Sequence, residues 1–284
     1  MIAALGRAPR DGAAFDDLVP LPPVSLDRPA SADAEVLVNA HIGDRYWRIE
    51  LRAPYAATHV RPGQFVMVTV TRDVRVGPVL PRPMAVYDAD EAAGTVSVVY
   101  SVVGEGTRAL TGFLPGERVT VVGPLGRPFD LPARGGVLLL GRGIGSCSLT
   151  LLARAAAARG RVTMVVSGRT PAATVGRDFV PAPDVRPIAV DDLSGTSHPD
   201  ALATRLRAVL DDDPPALVAA CGSARLEALG ERLAESWGAD FQVAVEAHMA
   251  CGLGYCHGCA TGNRTSSAEA PLVCRDGPVF RTHR

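Results

Sequence analysis

The chain has 284 residues, of which 47% are hydrophobic, and a formal net charge of −1. This length predicts two domains, or two and a small appendage. The near-neutral charge argues against nucleic acid or an anionic membrane as a partner, and no apolar run approaches the ~20 residues of a membrane span. All 29 basic residues are arginine, so the chain has no ε-amine for Schiff-base chemistry or a Walker-type phosphate loop.

The first 32 residues are rich in alanine, proline and aspartate, as in "VPLPPVSLDRPASAD", and show no periodicity. We expect residues 1–32 to form a flexible N-terminal extension. Its opening residues, "MIAALGRAPRDGAAFDD", lack an apolar stretch long enough for a signal peptide.

Residues 33–132 contain short strands separated by glycine and proline, among them "YWRIELRA", "QFVMVTV", "TVSVVYSVV" and "RVTVVGPLG". This spacing predicts an antiparallel all-β barrel or sandwich. Two motifs within it suit phosphates. Arg82 has a rigid, permanently charged fork that can hold a pyrophosphate, and the turn at 104–107, "GEGT", offers backbone N–H groups and a hydroxyl. A surface arginine and a plain hairpin turn are the alternatives.

Residues 133–245 alternate apolar strands with helices, which predicts an α/β domain with a parallel sheet covered on both faces. The strand-to-helix turn in "LLLGRGIGSC" carries Gly141, Gly143 and Gly145. Such a turn lets a pyrophosphate reach the helix N-terminus, although glycines there also serve tight turns. Cys221 and Gly222 end a later strand, where ligands of open α/β sheets gather. A nicotinamide site and a small buried cysteine are the two readings of that position.

Residues 246–284 hold four of the six cysteines, Cys251, Cys256, Cys259 and Cys274. The spacing C-x4-C-x2-C with a distant fourth cysteine is that of plant-type 2Fe–2S ferredoxins. Zinc sites more often show two C-x2-C pairs, and disulfides suit small secreted domains. His248 and His257 flank the expected cluster, but four cysteines already complete its coordination. Thiolate-held iron predicts a reducing, cytoplasmic location.

The order of these pieces resembles the ferredoxin–NADP reductase superfamily of flavoproteins, and within it the electron-transfer subunits of class 1B dihydroorotate dehydrogenases. The resemblance covers residues 33–284. It rests on "RPMA", "GEGT", "GPLGRPFD", "VDDLSG" and "MACGLGYCHGC" followed by "VCRDGPVF". It implies FAD on the barrel, NAD(H) on the α/β domain, and a 2Fe–2S cluster facing an FMN-containing catalytic subunit of pyrimidine biosynthesis.

The resemblance also implies roles for individual residues. Four would line the FAD pyrophosphate and isoalloxazine: Arg82, Pro83, Met84 and Ala85. Three would contact the ribityl chain and flavin (Val99, Tyr100 and Ser101), and two the phosphates (Gly106 and Thr107). The cofactors carry the chemistry, so no acid–base residue is predicted.

Three residues depart from the family pattern. Ala85 replaces a serine that can bond the flavin, and Arg142 and Cys147 interrupt the usual glycine turn. The resemblance favours NADH, although Ser167 and Arg169 after the second α/β strand would suit the 2′-phosphate of NADPH. Two other functions stay open. The chain could be an NAD(P)H-dependent reductase subunit serving a hydrogenase, a sulfite-reducing complex or a biosynthetic oxidoreductase, or a non-catalytic zinc-binding module.

Overall fold

A computed structural model describes residues 18–72, 77–175, 185–261 and 269–282, which form two compact units. The first unit combines residues up to 128 with those from 245 onward, and the second spans 129–244. The cysteine segment, predicted as a separate part at 246–284, is thus grouped with the barrel. Helices of the described ranges are all too short or too polar to cross a membrane.

The core of the first unit is a curled sheet of seven strands, in which every neighbouring pair is antiparallel. In spatial order the strands are β5 (Arg82–Ala85), β4 (Phe65–Val68), β8 (Arg118–Leu125), β2 (Ala30–Gly43), β3 (Tyr46–Arg52), β7 (Thr95–Ser101) and β6 (Asp88–Asp90). Two short helices accompany them, α1 (Pro54–His59) and α2 (Glu105–Leu110).

Alternation along the strands explains why this sheet forms. On β3 and β7 the paired residues Ile49 and Val98 are fully buried. Leu51 and Val96 form the next buried pair on the same face. β-Branched side chains fit such a pleated, packed surface well, and each pair extends the apolar lining of the barrel.

The N-terminal and C-terminal ends of the described chain pair with each other in the first unit. Strand β1 (Leu18–Pro20) runs antiparallel to β14 (Val279–Thr282), which follows the short helix α7 (Val273–Asp276). Leu18 and Leu21 are buried. The predicted extension at 1–32 therefore includes β1 and the start of β2, because apolar residues at its end find partners far along the chain. Residues 1–17 of that extension lie outside the described residues.

The second unit contains five parallel strands. Their spatial order is β13 (Asp240–Ala244), β12 (Pro215–Cys221), β9 (Gly136–Arg142), β10 (Val162–Gly168) and β11 (Val185–Asp191). The helices are α3 (Ile144–Ser148), α4 (Thr150–Ala157), α5 (Pro199–Leu210) and α6 (Ala224–Trp237).

Both faces of the parallel sheet are buried, as its apolar strands predict. On one face Leu140 and Val218 pack with Leu206 of α5 and Leu229 of α6. On the other face, residues such as Leu139 are equally buried. The architecture places the ends of β9, β10, β11 and β12 along one edge of the sheet, where the glycine turn after β9 also lies.

Candidate functional site

Arg82 and the GEGT turn meet at the start of α2. A Cβ placed on Gly106 would lie only 2.5 Å from Nη2 of Arg82, so the guanidinium covers the first turn of the helix. Amides of a first helical turn have no intrahelical acceptor, and they share this place with a permanent positive charge. The donor set therefore fits the pyrophosphate of FAD, which is the role that the family resemblance implies for Arg82 and Gly106.

Thr107 and Tyr100 have structural roles in the same region. The Thr107 hydroxyl accepts from the backbone N–H groups of Val103 and Gly104, at 3.0 and 3.2 Å, and so closes the turn. Tyr100 is 2% exposed, and its hydroxyl donates to Oδ1 of Asn39 at 2.9 Å. Burial raises its pKa, although the Asn39 contact opposes that shift. Its side chain lies on the face opposite to those of Val99 and Ser101, so its predicted flavin contact stays a prediction.

Strand β5, which contains the RPMA motif, pairs with β4. Ala85 is paired with Phe65, Pro83 with Met67 and Met84 with Val66. Met84 is buried, whereas Ala85 is partly exposed. The strand therefore offers Ala85 to a ligand while Met84 anchors it, and the methyl group of Ala85 supplies no hydroxyl.

The three glycines after β9 form a close-packed turn against the end of β12. A Cβ on Gly141 would lie 2.5 Å from Cα of Ser146, and one on Gly145 would lie 2.4 Å from the carbonyl oxygen of Cys221. Gly143, at φ 54°, is the residue immediately before helix α3. The structure thus gathers Gly141, Gly143, Gly145 and Cys221 at one point, and their contact with a nicotinamide nucleotide stays a prediction.

Two buried hydroxyl groups at this edge fit a nucleotide. Ser146 lies shortly after β9, and Ser223 shortly after β12. The Oγ atoms of both residues have no hydrogen-bond partner within the described part of the chain. A buried hydroxyl without a partner is costly. These two hydroxyl groups suit the polar edges of a nicotinamide nucleotide.

An ion-pair network at the same edge was not predicted from the sequence. Arg142 binds Asp192 through both nitrogens of its fork, at 3.2 and 2.6 Å, and also donates to Oγ of Ser167 at 2.8 Å. Arg225 donates to Asp192 at 2.9 Å, and Ser197 also donates to it. The hydrogen bonds from Arg142 and Ser197 hold the pKa of Asp192 well below its usual range. Sequence spacing gave no sign of a contact between positions 142 and 192.

The four cysteines of the C-terminal segment form two pairs. The Cys251 thiol interacts with that of Cys256, and the Cys259 thiol with that of Cys274. Cys256 is exposed, whereas Cys259 and Cys274 are buried. Backbone N–H groups point at sulfur in each pair, from Leu253 to Cys251 at 3.4 Å and from Cys274 to Cys259 at 3.5 Å.

Electrostatics prepares one thiol of each pair for metal binding. Burial opposes ionisation of Cys251, but hydrogen bonds from the N–H groups and thiol around it lower its pKa to about 7. A hydrogen bond from the Cys274 thiol lowers the pKa of Cys259 to about 6. Backbone N–H groups add to this effect, whereas burial opposes it. The pKa of Cys274 is raised by Cys259 and by burial. Thiolates are the species that bind iron.

A 2Fe–2S cluster takes two thiolates on each iron, and the two cysteine pairs fit that division. Within the described ranges, no three histidine, cysteine, aspartate or glutamate side chains are arranged around a single point suited to one metal ion. The fit to the cluster therefore rests on the pairs and on the N–H groups aimed at sulfur.

Comparison with known proteins decides the family. Residues 246–284 match the model described as the iron-sulfur cluster binding domain of dihydroorotate dehydrogenase B. Over 247 residues the chain is 35% identical to the dihydroorotate dehydrogenase B (NAD(+)) electron transfer subunit of Geobacillus thermodenitrificans, covering 84% of this chain and 92% of that relative. The chain belongs to the family of dihydroorotate dehydrogenase B electron transfer subunits. A relative with the same name in Listeria monocytogenes is 28% identical and covers 88% and 96% of the two chains. The predicted family is confirmed.

Solved structures confirm the predicted fold of barrel and parallel-sheet units. An NADH-dependent reduced ferredoxin-NADP oxidoreductase, studied for flavin-based electron bifurcation, matches with a TM-score of 0.73 and 26% identity over 88% of each chain. The ferredoxin reductase of carbazole 1,9a-dioxygenase, at 17% identity and a TM-score of 0.58, covers 74% of this chain and 67% of its own, and shows the fold alone. Family and fold together support the predicted cofactors of this electron transfer subunit: FAD, a 2Fe–2S cluster and NAD(H).

Replacing Arg82 with alanine should weaken FAD binding. Charge-assisted hydrogen bonds to phosphate contribute about 1.5–3 kcal/mol each, so we expect Kd to rise by about one to two orders of magnitude. Titration of apoprotein with FAD measures this. Arg118→Ala is the matched control, because Arg118 lies on the same barrel but pairs with Asp33 at the surface. An unchanged Kd for Arg82→Ala would place the flavin pyrophosphate elsewhere.

Proposed function

We propose that this chain relays electrons between NAD(H) and the catalytic subunit of dihydroorotate dehydrogenase, in pyrimidine biosynthesis. The observation that carries the proposal is the cysteine segment, which matches the iron–sulfur domain of that enzyme and divides its four thiols into two pairs. The phosphate-binding turn at Arg82 and the glycine turn after β9 supply the two other sites that such a relay needs.

Each site of the chain binds and orients one group. The Arg82 fork and the first turn of α2 would hold the FAD pyrophosphate, and the edge at Gly145 and Cys221 would receive the nicotinamide nucleotide. When bound, FAD exchanges a hydride with the nicotinamide and single electrons with the cluster, which is the chemistry that the cofactors supply. The four thiols would hold the cluster, and the N–H groups that point at sulfur would favour its more negative, reduced form.

The preferred nucleotide in this proposal is NADH. The Ser167 hydroxyl is fully buried and already accepts from Arg142. Arg142 in turn is neutralised by Asp192. Neither group is therefore free to meet a 2′-phosphate, and the Asp192 carboxylate would repel one. This network supports the preference that the resemblance implies, while Arg169 at the surface is the feature that favours NADPH.

The partner is expected to meet the chain at the exposed part of the loop that carries Cys251, Cys256 and Cys259 (residues 251–259, the cluster loop). Tyr255 is 85% exposed and Leu253 43% exposed, on either side of a glycine and next to the exposed ligand Cys256. Exposed tyrosine side chains such as Tyr255 are frequent anchors of protein interfaces. A thiolate-held cluster also needs a reducing compartment, which supports a cytoplasmic location.

Reconstitution tests the proposed function. The isolated chain should contain flavin and iron and oxidise NADH with dyes, but it should not oxidise dihydroorotate. Adding the FMN-containing catalytic subunit should restore turnover linked to NAD+. Dihydroorotate turnover by the single chain would contradict the proposal. Success with a different redox protein, and with no dihydroorotate dehydrogenase, would favour the general reductase. A colourless protein with bound zinc would favour the zinc module.

A further inference from the structure

The cluster loop packs against the barrel, with Met67 as its nearest side chain. Gly252, which follows the ligand Cys251, is buried, and a Cβ on it would lie 2.6 Å from Cγ and 2.9 Å from Sδ of Met67. Leu125 closes the same contact from β8. The φ of Gly252 is +69°, which favours glycine. The loop therefore approaches the barrel as closely as a bare backbone allows, and Met67 is the surface that it meets.

Met67 lies on β4, the strand that pairs with β5 and its RPMA motif. Met67 is 1% exposed and lies on β4 directly opposite Pro83 of β5. Phe65, two residues earlier on the same face, lies opposite Ala85 and packs against Gly126. Strand β4 thus pairs with β5 on one side, and its residue Met67 contacts the cluster loop.

We propose that Met67 is a positioning residue that fixes the separation of the flavin and the cluster, and so sets the rate at which electrons pass between them. The proposal rests on the proposed function, because it assumes both groups on this chain. Electron transfer between two cofactors slows steeply as their separation grows. A contact of bare backbone on one buried side chain, within a single compact unit, holds that separation constant.

Three variants test the proposal. Met67→Ala leaves a gap beneath Gly252 and lets the loop shift. Met67→Leu conserves the volume and should restore the support. Met164→Ala is the matched control, because Met164 is equally buried but lies on β10 of the other unit. Rapid anaerobic mixing with NADH measures flavin and cluster reduction separately by absorbance, and electron paramagnetic resonance records the reduced cluster.

In Met67→Ala we expect flavin reduction at the unchanged rate and cluster reduction slowed severalfold, because electron transfer slows steeply as the separation of the two cofactors grows. Its reduced-cluster spectrum should also shift. Met67→Leu should restore the rate and the spectrum, and Met164→Ala should lose stability without changing either. Equal cluster-reduction rates in Met67→Ala and the unchanged chain, at full iron content, would overturn the proposal.

Failure of the proposed function gives a different result. In that case the unchanged chain itself would lack flavin or iron, or NADH would not reduce its cluster. If Met67→Ala lost its iron altogether, Met67→Val would be measured in its place, since it removes less volume from the contact. A rate that does not fall with the side-chain volume at position 67 would equally overturn the proposal.

Discussion

Replacing Cys256 with serine should abolish electron transfer to the catalytic subunit while NADH oxidation with a two-electron dye continues at close to its original rate. Cys256 is the exposed member of its pair, so the change removes a cluster ligand without opening a cavity in the core. The segments expected to bind flavin and nucleotide are distinct from the cysteine segment and should keep their geometry. Iron analysis, flavin content and the two activities, measured on one preparation, check this expectation.

Cys147→Ser is the matched control for that substitution. Cys147 is 3% exposed in α3, and burial raises its pKa to about 12, so it is a neutral packed thiol rather than a ligand. The control should retain iron and partner-linked turnover, with some loss of stability. If Cys256→Ser lost both activities while FAD stayed bound, the cluster and flavin steps would not be separable in this chain.

The sequence allowed the fold to be predicted because its signals are local. Alternating apolar residues mark the barrel strands, and strands alternating with helices mark the parallel sheet. The spacing of the four cysteines likewise indicates the cluster, because it is the spacing of plant-type 2Fe–2S ferredoxins. The turn glycines and Arg82 were recognisable from residue type, whereas their roles in binding cofactors stay predictions.

Contacts that depend on tertiary packing could not be predicted from the sequence. Asp192 lies 50 residues from Arg142 in the sequence, and nothing in the sequence around either residue indicates that they form an ion pair. Met67 reads as an ordinary core residue of a strand, and its contact with Gly252 exists because a distant loop folds back on it. Strand β1 could not be predicted, because three residues are too few to show an alternation of apolar and polar side chains. Its partner strand also lies at the other end of the chain.

The side-chain direction of Tyr100 is a related case. Its position in "VVYSVV" does not say which face of β7 it occupies. Pairing with β3 places it with Ile49 and Val98, facing Asn39 in the barrel interior. Register, which depends on long-range pairing, decides this.

Gly145→Ala should reduce kcat/KM for NADH by about two orders of magnitude, the scale that a misplacement of an ångström causes in a positioned reaction. The added Cβ would meet the carbonyl oxygen of Cys221 at 2.4 Å, and that oxygen belongs to a buried strand end that cannot retreat. Helix α3 must therefore move away from β12, which separates the glycine turn from the edge where the nicotinamide is expected. Steady-state oxidation of NADH with a dye measures the loss.

Gly136→Ala provides the control, because Gly136 begins the same strand and a Cβ there would make only ordinary contacts, at 3.5 and 3.8 Å. It should leave kcat/KM close to the original value. Both variants should keep full flavin and iron content, since the residues expected to bind those groups belong to the other unit, and chemical reduction of their flavin should be normal. That pattern would separate a damaged nucleotide site from a damaged fold. A Gly145→Ala protein with intact flavin and unchanged kcat/KM would show that the nucleotide does not use the turn after β9, because a turn displaced from Cys221 could not bind it equally well.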